Sequence, residues 1–77
     1  MPDEVPRVIG RRVRALRTEL GISQEELAAR AALHRNYVGS VERGERDIGI
    51  VALTRLATAL GISLADFFAP LRSKSWR

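Results

Sequence analysis

The chain of 77 residues contains no cysteine, which excludes a disulfide scaffold and a zinc site built from thiolates. It has a single histidine, His34, so no second imidazole is present to share a metal ion, and we expect no metal and no cofactor. Aromatic residues make up only 5% of the chain, although 45% of its residues are apolar. An apolar content carried by leucine, isoleucine, valine and alanine favours a helical domain over a β-sandwich or barrel.

Long hydrophobic runs and catalytic patterns are also missing. No stretch approaches the roughly 18 apolar residues of a membrane span, and the first residues lack the apolar segment of a signal peptide, so the sequence predicts a soluble, cytoplasmic protein. There is no glycine-rich phosphate loop, no thiol nucleophile and no second histidine for acid–base chemistry. The sequence therefore predicts a protein that is not an enzyme.

Acidic residues are fewer than basic ones: the chain has nine acidic and 13 basic residues and a net charge of +4. Apart from Lys74, all of the basic residues are arginines. Arginine binds phosphate or guanine through two parallel hydrogen bonds, whereas lysine acts as a point charge. The composition therefore suits contacts to phosphate or guanine.

Helix signals divide the chain into five helices, which predicts a compact all-α domain. Residues 1–6 contain two prolines and two acids and are predicted to be a flexible lead, with a first helix from about Arg7 to Gly21. The buried stripe of that helix is predicted at Ile9, Val13, Leu16 and Leu20, which recur with helical spacing.

The last two helices follow a charged loop. Residues 50–60 are predicted to form the fourth helix, and a short fifth helix with Ser63 as its N-cap ends before Pro70. The folded domain is thus expected to span residues 7–70, followed by a polar tail at residues 71–77.

Residues 23–44 carry the most informative pattern. Ser23 and Glu26 form a capping box that begins the second helix. The third helix follows after only Ala32 and Leu33, and its first residues carry four hydrogen-bonding side chains in a row. Two short helices joined by a tight turn are typical of a helix-turn-helix, whose second helix enters the major groove of DNA. The sequence therefore predicts DNA binding.

Three strings carry a family resemblance: the triplet at Leu20–Ile22, SQEELA at Ser23–Ala28 and VERG at Val41–Gly44. In these the chain resembles the phage-repressor-like (XRE-type) helix-turn-helix transcription regulators, whose five-helix domain matches nearly the whole chain. The string RNYVGSVERGERDI at residues 35–48 is similar to the controller proteins of restriction-modification systems. The resemblance implies a nucleoid-associated bacterial homodimer that binds a two-fold-related operator on double-stranded DNA and regulates its own gene and the endonuclease gene.

The family pattern places Arg35, Asn36 and Ser40 opposite base edges. Arginine pairs with O6 and N7 of guanine and asparagine with N6 and N7 of adenine, and each good pair contributes about 1 to 3 kcal/mol of discrimination. The alternative is that these are only solvated residues at the start of a helix.

Other polar residues are candidates for phosphate contacts. The family pattern places Gln24 against a phosphate at the front of the second helix, where the helix dipole and free N–H groups help. The further candidates are His34, Tyr37, Arg43 and Arg46. Tyr37 has the alternative of packing partly in the core, Arg46 that of reaching a groove, and His34 that of acting as a weak helix cap.

Two positions invite a structural interpretation. Glu42 is unexpected in a segment that faces DNA, because a carboxylate repels phosphate, and the resemblance implies a partly buried ion pair between Glu42 and Arg17. Ala32 stands where the family often has glycine. A left-handed alanine costs about 1 to 2 kcal/mol, so we expect an adjusted turn.

The last two helices carry more apolar residues than a small core needs, which predicts a dimer interface. Its predicted members are Ile50, Val51, Leu53, Leu60, Phe67 and Phe68. The alternative is that all of them are core residues of a monomer.

Glu25 lies at the front of the second helix, where some family members contact RNA polymerase. The alternative is that its carboxylate only stabilises the helix dipole. For the whole chain, the alternative function is a protein-interaction module such as an antitoxin, whose tail at residues 71–77 would mask a toxin. No small-molecule ligand is expected.

Overall fold

The computed structural model describes residues 4–71, which form five α-helices and contain no strand. The helices are α1 (Glu4–Leu20), α2 (Gln24–Ala31), α3 (Arg35–Glu42), α4 (Ile50–Ala59) and α5 (Leu64–Phe68), followed by a 3-10 turn at Ala69–Leu71. The prediction of an all-α domain of five helices joined by short connections is confirmed.

The first helix begins earlier than predicted. α1 starts at Glu4 instead of near Arg7, so the predicted lead at residues 1–6 is too long. Proline is tolerated in the first turn of a helix because the N–H groups there have no intrahelical partner, and Pro6 occupies such a position. Val5 packs against the core, which holds this first turn in place. Residues 1–3 lie outside the described part of the chain.

The predicted tail also begins too early. Leu71 belongs to the 3-10 turn and packs partly buried against the core, instead of starting a polar tail. Pro70 does not end the helical segment at once, because a short 3-10 turn tolerates a residue without an N–H group near its start. Residues 72–77, the rest of the predicted tail, lie outside the described residues.

The turn between α2 and α3 retains a left-handed residue. Ala32 has φ 57° and ψ 43°, so the adjusted turn that we expected is not found. The N–H of Leu33 donates to the carbonyl of Ala28 at 2.9 Å, which satisfies a carbonyl at the end of α2. His34 then caps α3, since its Nδ1 accepts a hydrogen bond from the N–H of Asn36 at 3.1 Å.

The core draws on all five helices. Its most deeply buried large side chains are Val13, Leu27, Val38, Val41, Leu56 and Phe67. Three residues predicted for a dimer interface also lie in this core: Leu53 is 4% exposed, Leu60 is 5% exposed and Phe67 is fully buried. Their assignment to an intermolecular surface is therefore corrected, because the domain covers them with its own helices.

Arg12 of α1 forms hydrogen bonds to the backbone of α5. Its Nε donates to the carbonyl oxygen of Phe67 at 2.8 Å, and its Nη2 donates to that of Asp66 at 3.0 Å. The guanidinium carbon also lies 5.8 Å from the centroid of the Phe67 ring. An arginine that binds the last carbonyls of a helix and covers its aromatic residue holds a five-residue helix that is too short to be stable alone.

Within residues 4–71 no single helix has the length and hydropathy to cross a membrane. Only the segments Ile50–Ala59 and Leu64–Leu71 taken together have that length and hydropathy, and they are bent by 96° relative to each other.

Candidate nucleic-acid interface

The exposed start of α3 and the start of α2 form a recess. It has a volume of about 310 Å³, and its lining residues are Gln24, Arg35, Asn36, Gly39 and Arg43. Both Arg35 and Asn36 are exposed on the first turn of α3. The structure thus brings two predicted base-contacting residues together with two predicted phosphate-contacting residues around one concave surface, which we call the α2–α3 recess.

Gly39 forms the floor of the α2–α3 recess and was not singled out from the sequence. A Cβ atom at this position would lie 3.2 Å from Nη1 of Arg43 and 3.4 Å from Oε1 of Gln24. The missing side chain therefore allows the side chains of Gln24 and Arg43 to lie close to the backbone of α3 at Gly39. A glycine inside a helical pattern was the available signal, since it usually marks a close approach.

An ion pair between Arg17 of α1 and Glu42 of α3 lies next to Gln24 of the α2–α3 recess. The Nε of Arg17 donates to Oε2 of Glu42 at 2.6 Å, and Nη2 donates to Oε1 at 3.1 Å. The side chain of Arg17 is 13% exposed and that of Glu42 is 3% exposed. The structure therefore contains the partly buried ion pair that the resemblance implies, in the bidentate geometry that favours arginine.

The ion pair extends into a network across three helices. Nη1 of Arg17 donates to the carbonyl of Ile22 at 2.8 Å, and Nε2 of Gln24 donates to Oε1 of Glu42 at 3.0 Å. Hydrogen bonding to Glu42 raises the pKa of the Arg17 guanidinium above its ordinary value, so this group stays charged. Gln24 thus joins α2 to α3 through its hydrogen bond to Glu42.

Ser40 is not presented to a base edge, and its predicted role is corrected. Its side chain is buried, with 7% of the residue exposed. The hydroxyl donates to the carbonyl of Tyr37 at 2.8 Å and accepts a hydrogen bond from Nε of Arg46 at 3.0 Å. The physical reason is the loop after α3, which returns Arg46 across the helix and covers Ser40.

The remaining phosphate candidates lie at three places. Arg46 is exposed and its guanidinium carbon lies 5.0 Å from the centroid of the half-buried Tyr37 ring. Arg43 is exposed beside the α2–α3 recess and its Nε donates to Glu45 at 3.1 Å, a hydrogen bond that raises the pKa of Arg43. His34 is exposed at the start of α3, where it serves as the cap.

Ile50 and Val51, at the start of α4, are the exposed members of the predicted dimer set. They are 64% and 63% exposed. Phe68 is half-buried and packs edge-to-face on Phe67, with ring centroids 5.1 Å apart. Of the predicted dimer set, Ile50 and Val51 are therefore exposed and Phe68 is partly exposed.

Glu25 is exposed on the first turn of α2. It lines a second cleft of about 450 Å³ that extends to His34, the N-cap of α3, and to Arg35 on α3. The carboxylate of Glu25 is therefore exposed on the α2 side of this cleft.

Comparison with known proteins identifies the fold. Residues 13–67 match the helix-turn-helix family over the α1–α5 core. The chain belongs to this family. Among the relatives of this helix-turn-helix chain is the control protein C.SmaI of Serratia marcescens, which is 40% identical over 70 residues that cover 83% of each protein.

Solved structures of helix-turn-helix controller proteins superpose closely on the chain. The restriction-modification controller protein C.AhdI from Aeromonas hydrophila has 48% sequence identity and a TM-score of 0.79, covering 82% of this chain and 96% of that one. The controller protein C.Esp1396I, solved as a tetramer in complex with its natural 35-base-pair operator, has 28% identity and a TM-score of 0.84 over 94% of this chain and 95% of that one. The predicted likeness to the controller proteins is confirmed.

Proposed function

We propose that this protein is a transcription regulator that binds double-stranded DNA through the first turn of α3. The observation that carries the proposal is the α2–α3 recess, where Arg35 and Asn36 are exposed between Gln24 and Arg43. Arg35 would pair with guanine and Asn36 with adenine in the major groove, while Gln24 and Arg43 would bind phosphates on either side.

The ion pair of Arg17 and Glu42 supports this use of α3. A recognition helix of eight residues has little stability of its own, so its orientation depends on contacts with its neighbours. Glu42 connects the end of α3 to both α1 and α2. The side chains at the first turn of α3 are thus presented from a fixed frame, which reduces the entropy lost on binding.

Replacing Arg35 by alanine is expected to weaken binding to the DNA upstream of this protein's own gene. A lost pair with guanine costs about 1 to 3 kcal/mol, which is roughly 5- to 150-fold in affinity for each half-site. Fluorescence anisotropy with that DNA and with a scrambled duplex measures the effect. Arg55→Ala, which removes an exposed arginine of α4, is the matched control.

Arg35→Ala should reduce the preference for the upstream DNA over the scrambled duplex by roughly 5- to 150-fold for each half-site, whereas Arg55→Ala should preserve the preference. Equal loss of affinity for both duplexes in the Arg35→Ala variant would assign Arg35 to phosphate and contradict its role in reading bases.

We also propose that the regulator is a homodimer. One helix-turn-helix contacts only a half-site, and two-fold pairing places two recognition helices about 34 to 36 Å apart, one turn of DNA. The exposed apolar patch at Ile50 and Val51 is the surface that supports this pairing.

Substitution of Ile50 and Val51 by aspartate is expected to shift a dimer to an 8.6 kDa monomer, because it places four carboxylates across a two-fold interface. Sedimentation at micromolar concentration measures the change. Leu20→Asp is the control, since Leu20 was predicted in the buried stripe of α1 but is instead a 48% exposed apolar residue at the end of this helix. A wild-type protein that sediments as a monomer with and without DNA would contradict the homodimer.

The likeness to controller proteins supports a restriction-modification operon that includes the protein's own gene as the target. Glu25 is proposed to contact RNA polymerase from the outer edge of α2, since it is exposed beside the first turn of α3. At saturating occupancy of the operator, Glu25→Gln should lower transcription in vitro without changing DNA affinity. Unchanged transcription at full occupancy would leave Glu25 only its role at the helix dipole.

A further inference from the structure

Three arginines on α1 form a stripe that neither the core nor the α2–α3 recess uses. Arg7, Arg11 and Arg14 are exposed, and their spacing of four and three residues places them on one side of the helix. Within residues 4–71 their guanidinium groups form no hydrogen bond or ion pair. The other two arginines of α1, Arg12 and Arg17, are bound to Phe67 and Glu42 instead, as described above.

The arginine stripe begins beside the proposed DNA-binding surface. Gly44 packs against the first arginine so closely that a Cβ at Gly44 would lie 2.7 Å from Cγ of Arg7. The neighbour of Gly44 in the chain is Arg43, which lines the α2–α3 recess. Because a helix rises 1.5 Å per residue, Arg11 and Arg14 lie roughly 6 and 10 Å further along α1. Positive charge therefore continues from the recess, past the α3–α4 loop, along the outer side of α1.

We propose that the arginine stripe binds backbone phosphates of DNA that flanks the half-site contacted by α3. One strand carries a phosphate about every 3.4 Å along the duplex axis, so a row about 10 Å long spans roughly three phosphates. Arginine suits this ligand because its guanidinium binds phosphate with two parallel N–H groups. The inference rests on the proposed function, since it assigns further contacts on the same DNA.

The charges of the chain favour DNA over a second copy of the protein as the occupant. Glu26 and Glu45 already bind Arg30 and Arg43, so these carboxylates are engaged. The other exposed acids of residues 4–71 do not form a row on one helix that would match the stripe. A polyanion with regularly spaced charges is the complementary surface.

The salt dependence of DNA binding tests the proposal. The variant carries Arg7→Gln, Arg11→Gln and Arg14→Gln, and the probe is a random-sequence duplex of about 30 base pairs, roughly three helical turns. Each phosphate contact contributes about −0.9 to the slope of log affinity against log salt concentration. The wild type should therefore lose about 40-fold more affinity per bound protomer than the variant between roughly 50 and 200 mM salt.

Two controls separate the stripe from a general loss of charge or of folding. Arg55→Gln removes an exposed arginine on α4 and should leave the slope at its wild-type value. The triple variant with lysine at the three positions should recover most of the slope, because it keeps the charges. If the triple glutamine variant does not fold by circular dichroism, each single variant should still reduce the slope by about 0.9.

Equal slopes for the wild type and the glutamine variants would overturn the proposal. Altered sedimentation in the absence of DNA, together with an unchanged slope, would also overturn it and assign the stripe to contacts between copies. A wild type that binds no duplex even at low salt would refute the proposed function itself. The Arg35→Ala variant distinguishes the two ideas, because it should lose sequence preference while keeping the contribution of the stripe to the slope.

Discussion

Replacing Arg17 by alanine is expected to lower the free energy of unfolding by about 3 to 5 kcal/mol. In the wild type the side chain of Glu42 is 3% exposed, and the variant removes Arg17 and leaves Gln24 as the remaining side-chain donor to its carboxylate. A domain of this size has a total stability on the order of 5 to 10 kcal/mol, so the loss is a large part of it. Thermal unfolding followed by circular dichroism should show a midpoint lower by roughly 15 °C or more.

The exposed pair of Glu26 and Arg30 provides the matched control. Its side chains are 51% and 46% exposed at an Nε–Oε2 distance of 3.0 Å, and Arg30→Ala should cost about 0.5 kcal/mol or less. A double variant, Arg17→Met with Glu42→Leu, should be more stable than Arg17→Ala because it leaves no unpaired buried charge. An Arg17→Ala protein that unfolds at the wild-type temperature would contradict the structural role of the pair.

The pH dependence of this stabilisation follows from the raised pKa of Arg17. A cationic group whose pKa is raised by folding contributes stability that is fully present below its unfolded pKa and is lost as the pH rises through its folded pKa. For an arginine, that range is strongly alkaline. The arginine half of the ion pair therefore stays charged between pH values of about 6 and 8, and the protonation of Arg17 adds no pH dependence to the stability of the wild type in this range.

Helix boundaries set by local chemistry were predictable from the sequence. Ser23 caps α2 through the N–H of Glu26, as its capping box predicts, and Gly21 ends α1 with a positive φ of 71°. Each signal acts within one helical turn, so a short segment contains all of the information needed. The start of α1 was missed because Pro6 looks like a helix breaker, although it is harmless in a first turn.

Features that depend on tertiary packing were not predictable to the same degree. Periodicity identifies Leu53 of α4 and Leu60, the C-cap of this helix, as apolar positions. It does not say whether the domain or a second subunit covers them. Ser40 matches the family pattern for a base contact, yet the loop places Arg46 over it. The alternative that they are core residues of a monomer was correct for Leu53 and Leu60, because a chain this short uses most of its large apolar side chains in its own core.

Gly10→Ala is expected to destabilise the domain by about 2 to 3 kcal/mol, although alanine is the better helix former by about 1 kcal/mol. Gly10 lies on α1 where the helix crosses the end of α3. A Cβ there would overlap the carbonyl oxygen of Val41 and lie 2.9 Å from that of Glu42. Both obstacles are backbone atoms, so α3 as a whole must shift, and the shift also disturbs the ion pair between Arg17 and Glu42.

Alanine substitutions at two other glycines are the controls for the effect of Gly10→Ala on the unfolding midpoint. A Cβ at Gly49 meets nothing within 4 Å, so Gly49→Ala should cost about 1 kcal/mol or less. At Gly39 the nearest atoms belong to the side chains of Arg43 and Gln24, which can move, so Gly39→Ala should leave the fold intact. Gly39→Ala should instead weaken DNA binding, since its methyl group enters the α2–α3 recess, whereas Gly10→Ala should lower the unfolding midpoint by roughly 10 °C or more. Equal midpoints for the Gly10 and Gly49 variants would show that α1 and α3 separate without cost, and that the frame behind the recognition helix is not rigid.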